Sequence, residues 1–386
     1  MKRHDHTKQR RRHPLATSFS FHKSAFLVIL VLLSSSVVVN AAFAPSRVGS
    51  TTTATTSIMN TPLKRRNENT PSLHQLNPTP FLHTTLRGGG DLTSKTQLAM
   101  VPIFDNTPFV QSTLTFTLLN LLGFAISILS GGSHLHLDLL GTGSFAIAAY
   151  VPFLVQTASA SSCTTRVSIS TGAVCVWSVK LASFLFWRAL KVKTDARLED
   201  TLSTFSGTVG FWFISALWGI LTSLPHALGT TSSSPGNPLF TIIGTALFLT
   251  GFAMETTADY QKTIFKQTNP TGFCNVGLWS TSQHPNFFGN FLLWVGIFIL
   301  NAPSLVVFPT EGHQSVVEIM KANWRLPVAF LSPLFLWTLF SSQVNGGLTN
   351  AVELAKSKYG NDPRYVEYLE KVPKLVPNLL LSWKKD

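Results

Sequence analysis

GLWSTSQHPNFFGN, residues 277–290, is a polar loop that runs straight into FLLWVGIFIL, residues 291–300, a segment without a single charge. A transition of this kind places a connecting loop at the mouth of a membrane helix, and the rest of the chain is read outward from it. Pro285 suits the first turn of a helix and biases His284 away from helical geometry. The His284 imidazole and the Asn286 amide are then presented at a helix N-terminus, where free N–H groups and the dipole favour an anion.

Six further apolar runs accompany the one at 285–302: 109–130, 139–158, 172–190, 205–228, 239–258 and 326–343. Each approaches the roughly 20 residues a helix needs to cross the hydrocarbon. Only 12% of the 386 residues are charged, low for a soluble domain. The expected fold is therefore all-α, a polytopic bundle of about seven transmembrane helices with an amphipathic C-terminal tail. With seven spans, 131–138, 191–204, 259–284 and the tail from 344 share one side, which carries Lys191, Lys193, Arg197, Lys262, Lys266, Lys356, Lys358, Arg364, Lys371 and Lys374. The opposite side offers little beyond Arg166 and Lys321, so the basic side is the cytosolic or stromal one.

The net charge of +13 does not mark a nucleic-acid-binding face. Residues 1–100 hold 13 Lys and Arg against 3 Asp and Glu, so most of the surplus sits in a leader. Within 1–42 a basic start precedes an apolar run, 25–39, and the small residues Ala41 and Ala42, the pattern of a cleaved signal peptide. Residues 43–100 are rich in Ser, Thr, Asn and Pro and nearly free of acid, a transit-like composition that cannot build a core. Phe43-Ala44-Pro45 resembles the junction in two-part presequences of algae with red-derived secondary plastids, which implies a plastid membrane. An endoplasmic reticulum leader with a linker is the alternative. The membrane domain is expected to span 101–386.

Cys163, Cys175 and Cys274 form no metal or disulfide pattern. His134 and His136 with Asp138 make one weak H-x-H pair, so no metal is expected. Lys262 and Lys266 lie four apart on one helix face. Two ammonium groups there suit the phosphates of a nucleotide, or snorkel to lipid headgroups. Lys180 falls in mid-span, where a charge is costly and marks a functional interior, with Asp138 or Glu255 as its expected partner. Arg188 lies two turns along the same face.

The stretch 277–290 resembles the GLW-x-x-SRHPNYFGE signature of the DUF1295 family, relatives of the steroid 5-alpha-reductases. GFAMETTADYQKTIFK (251–266), 137–150, 179–197 and KYGNDPRYVEYLEKVPKLVP (358–377) are similar to further blocks of that family, covering roughly 134–377. The resemblance implies NADPH as cofactor, hydride transfer to an activated C=C bond, and a hydrophobic lipid, sterol or isoprenoid-like substrate. It also implies a cofactor site formed by Asp259, Lys262, Lys266, Trp279, His284, Asn286, Asn290, Glu353, Tyr365 and Tyr368, with Glu255 and Tyr359 beside them. The catalytic proton donor is not identified by it. Gln283, Phe287 and Asn290 stand where the family has Arg, Tyr and Glu, which removes a guanidinium, a phenol and a carboxylate. Two alternatives follow: an S-adenosylmethionine-dependent methyltransferase of the isoprenylcysteine or phospholipid type, and a non-catalytic protein that keeps the fold.

Overall fold

The structure, a computed structural model, describes residues 105–131, 136–158, 163–191, 198, 201–308, 315–346 and 351–378. The leader, His134, Lys193 and Arg197 lie outside them. Among the described residues the chain is helical: α1 (Thr107–Leu129), α2 (Leu137–Gly141), α3 (Ser144–Ala158), α4 (Thr165–Lys191), α5 (Phe205–Gly229), α6 (Pro238–Thr268), α7 (Pro285–Asn301), α8 (Val316–Ala322), α9 (Arg325–Val344), α10 (Ala351–Tyr359) and α11 (Pro363–Lys371). Seven segments are long and apolar enough to cross a membrane, α2 and α3 counting together and α7 continuing to Leu305. The expected bundle is thus present.

Two spans are longer than composition suggests. α6 runs ten residues past 258 into a polar final turn, which carries Lys262 and Lys266 out of the apolar zone. α4 starts at Thr165, and Arg166, expected to lie outside the spans, is 1% exposed. Burial is tolerated because the guanidinium is saturated by hydrogen bonds. It donates to Asn301 Oδ1 (2.6 Å), Gly229 O (3.0 Å), Ser232 O (3.0 Å) and Ser234 O (3.2 Å). Gly229 O closes α5, so the cation also meets the negative end of a helix dipole.

Inside a bilayer the lipid tails are as apolar as leucine, so helices associate by close packing. Phe145 on α3 is the hub, with ring centroids 4.9 Å from Phe116, 5.1 Å from Trp177, 4.9 Å from Trp218 and 5.6 Å from Trp294. It thereby joins α1, α4, α5 and α7 through mostly edge-on ring contacts. The tightest helix pair is α6 with α7. A Cβ on Gly251 would lie 2.5 Å from both Gly289 O and Leu293 N, and one on Gly289 would lie 2.6 Å from Glu255 N. Gly244 and Gly296 repeat the arrangement seven residues away.

Gly251→Ala is expected to force α6 and α7 apart at a cost of about 1–3 kcal/mol. Gly172→Ala, where the new methyl meets open space, should be neutral or stabilising by up to about 1 kcal/mol. Thermal unfolding of the two purified variants in one detergent compares them. Equal melting points would show that the α6–α7 contact tolerates separation.

Candidate functional site

The close contact of α6 with α7 sets two carboxylates of α6 against two amides of α7. Glu255 is 3% exposed and accepts a hydrogen bond from Trp177 Nε1 at 3.0 Å. Lys180 of α4 reaches both acids, 3.6 Å from Glu255 Oε1 and 3.2 Å from Asp259 Oδ2. The mid-span lysine is therefore interior, and its second partner is Asp259, one turn from Glu255. A buried ion pair gains from the low dielectric but must offset desolvation, which extra hydrogen bonds make feasible. Asn286 Nδ2 supplies one such bond, to Asp259 Oδ1 at 3.3 Å, and the Asn290 side chain reaches the Glu255 carboxylate.

After these bonds, two acceptors are left over. Asn286 Oδ1 and Asn290 Oδ1 are buried with no hydrogen-bond partner. An unmet buried acceptor costs roughly 1–3 kcal/mol, and two on adjacent turns of one helix mark a place for a ligand with donors. Arg188 stands on α4 within electrostatic range of both Asp259 and Lys262.

The basic pair at the end of α6 is split in use. Lys262 Nζ lies 4.3 Å above the Trp279 ring, an exposed cation on an aromatic face. Lys266 is engaged by the protein, donating to Gly272 O and to the Tyr359 hydroxyl at 2.7 Å. Trp279 is itself buried, its Nε1 donating to Ala258 O at 2.8 Å. Its short 3₁₀ turn, Gly277–Ser280, opens on Gly277 at φ 59°, a left-handed conformation that favours glycine. Gln261 Oε1 accepts the next N–H, from Leu278, at 2.9 Å.

The C-terminal tail is strapped over this loop. Tyr368 O–H donates to Trp279 O at 2.7 Å, Ser282 Oγ to Leu375 O at 2.8 Å, and Gln283 N–H to Pro373 O at 2.8 Å. Gln283 Nε2 donates to Leu369 O (3.0 Å) and Val372 O (2.7 Å). Gln283 stands where the resemblance implies a guanidinium. Its contacts show a neutral amide that pins the tail. Tyr365 packs between Phe273 (5.1 Å) and Tyr359 (5.4 Å), and burial pushes the Tyr368 phenol up from its ordinary pKa. Glu353 is exposed on α10 and takes no part in these contacts.

His284 joins strap and site. Its Nδ1 lies 3.0 Å from Lys374 O. A carbonyl only accepts, so the proton is on Nδ1 and Nε2 is left as an acceptor. The ring stacks on Phe287 at 5.3 Å, and Phe287 on Phe340 at 5.1 Å. Burial holds the His284 pKa down to about 4, against the Lys374 carbonyl bond, which favours the charged form. His136, by contrast, bonds Gly123 O (3.0 Å) and stacks on Trp212. Among the described residues no group of three or more His, Cys, Asp or Glu could hold a metal.

Lys180→Met should destabilise strongly, approaching the roughly 3–5 kcal/mol seen when one partner of a buried pair is removed. Adding Asp259→Asn should restore part of the loss. Melting temperatures of the single and double variants form the cycle, and simple additivity would mean that the pair is not coupled. A second expectation concerns pH. The folded pKa of His284 lies below the ordinary 6.5, so between about pH 6.5 and 4 the unfolded chain binds the extra proton. Stability should fall as pH drops through that window. His284→Asn should flatten this part of the profile, and an unchanged slope would exclude His284 as its source.

A family model described as protein of unknown function (DUF1295) matches residues 123–310. That stretch holds α2 to α7 and every site residue named above except Phe340 of α9 and those of the tail. No curated protein and no solved structure matches the chain.

Proposed function

We propose that this chain, which belongs to the DUF1295 family through residues 123–310, is a multi-pass membrane reductase. In this reading it takes NADPH beside Asp259, Asn286 and Asn290. It reduces an activated C=C bond of a hydrophobic lipid, sterol or isoprenoid-like substrate. The observation that carries the proposal is the pair of unmet acceptors, Asn286 Oδ1 and Asn290 Oδ1, close to two cations not consumed by the acids, Lys262 and Arg188. A ligand that suits both features offers amide donors at one end and phosphates at the other. NADPH has that chemistry, and when bound it supplies a hydride.

The chain's own residues would divide the remaining work. Asn286 and Asn290 would hold the carboxamide through its N–H donors, and Asp259 would accept from a hydroxyl while Lys180 neutralises the acid pair. Lys262 and Arg188 would meet phosphates. Lys266, Tyr359, Gln283 and His284 would hold the tail against the loop and so exclude water from the site. The surrounding spans give apolar substrates access from the bilayer. The leader's two-part pattern supports a plastid membrane.

S-adenosylmethionine offers an ammonium and a sulfonium to the same acceptors, and is the second reading. It has no phosphate for Lys262 and Arg188, which weighs against it. Purified protein should be stabilised thermally by NADPH and not by S-adenosylmethionine; the opposite result selects the methyltransferase, and no shift with either selects a non-catalytic protein. Lys262→Met should weaken NADPH about tenfold or more, since a charge-assisted bond contributes roughly 1.5–3 kcal/mol. Lys266→Met should act mainly on stability, because its partners are Gly272 and Tyr359. Dissociation constants that rise for Lys266→Met and hold for Lys262→Met would reverse this assignment.

A further inference from the structure

Asp259 with Asn286 and Glu255 with Asn290 form successive rungs between α6 and α7. The glycine contacts set their register. Gly251 meets Gly289 and Gly244 meets Gly296, so the helices run antiparallel, and a step of one turn along α6 is matched by a step of one turn back along α7. In each rung an amide stands against a carboxylate. Asn286 Nδ2 donates to Asp259 Oδ1 at 3.3 Å, and the Asn290 side chain bonds the Glu255 carboxylate. A carboxylate offers only acceptors, so each amide must turn its NH2 group toward the acid. Lys180 and Trp177 hold the acids in that role. The ammonium lies 3.2 Å from Asp259 Oδ2 and 3.6 Å from Glu255 Oε1, and the indole N–H donates to Glu255 Oε2 at 3.0 Å. Oδ1 of each asparagine is thereby left over, buried and without a partner, and the Asn290 side chain sits in a residue only 7% exposed.

We propose that Glu255 and Asp259 are positioning residues that make this site selective for a ligand amide, an inference that rests on the NADPH reading. By fixing the orientation of both asparagines, the acids present two acceptors and no donor. The NH2 group of the nicotinamide carboxamide meets both. A ketone in its place carries a methyl where the amide carries NH2 and leaves the two oxygens unmet, and a buried polar group left unmet is what lets a site reject a near-isostere. A carboxylate in its place sets an anion against two acceptors with two acids behind them. Asparagines free of the acids would turn over and donate as readily as they accept, so the selectivity resides in the carboxylates that orient them. Lys180 supports the same end, because its charge lets both acids remain buried as acceptors.

The test compares dissociation constants of NADPH, its acetylpyridine analogue and its nicotinic acid analogue for the full protein in phosphatidylcholine nanodiscs, with no substrate present. NADPH should bind about a hundredfold tighter than the acetylpyridine analogue, a decade for each oxygen left unmet. The acid analogue should bind no better than the ketone. Glu255→Gln leaves Lys180 paired with Asp259 and frees Asn290 to turn, which should cut the preference to about tenfold. Asp259→Asn should do the same through Asn286, and either variant suffices if the other does not assemble. A merely structural loss would weaken all three nucleotides in parallel and leave their ratio where it was. Equal affinity for NADPH and the ketone analogue, or a preference that the variants retain in full, overturns the proposal and leaves the reductase reading standing. A wild-type protein that binds no NADPH overturns the reductase reading, and the amide selectivity with it.

Discussion

The backbone-to-backbone approach of α6 and α7 is the constraint on which the remaining arrangement depends. Without a hydrophobic driving force between helices in lipid, contact distance decides which pairs hold. Gly244, Gly251, Gly289 and Gly296 remove the side chains that would separate these two helices. As a result Glu255 and Asp259 are placed against Asn290 and Asn286. The bulky face of α7, with Phe291 and Phe298, is turned toward Trp337 and Phe330 of α9 for the same reason.

Charge inside the spans is handled in two different ways. Lys180 is matched by two carboxylates, with Trp177 and Asn286 completing their hydrogen bonds. Arg166 is matched by backbone carbonyls at the end of α5 and by the Asn301 amide. The guanidinium arrangement has every strong contact met within the protein and reads as a structural clasp. The lysine arrangement leaves acceptors unmet on the neighbouring amides. That difference in satisfaction, more than the presence of charge, separates a site from a support.

The tail adds a second kind of control. Gln283, Ser282 and His284 bind the tail carbonyls of Leu369, Val372, Pro373, Lys374 and Leu375. An uncharged Gln283 makes this strap without drawing on a phosphate. The departure from the family signature at this position thus has a local role in the fold. Phe287, where the signature has Tyr, fills the stack between His284 and Phe340, for which a hydroxyl is not needed.

The number, order and approximate limits of the spans were legible in the sequence, because crossing a bilayer requires uninterrupted apolar length and leaves polar residues at the ends. The interior placement of Lys180 was legible for the same reason, since a charge at that depth needs a partner. Choosing Asp259 and Glu255 together as its partners required the tertiary structure, as did recognising Arg166 as buried and Lys266 as engaged. Hydropathy records how far a residue lies along the chain from an apolar run. It does not record which carbonyl or ring faces it across a helix pair. That is set by the glycine-lined approach of α6 to α7 and by the tail folding back on the loop, contacts between residues up to about a hundred positions apart, where side-chain size on both surfaces decides the geometry jointly.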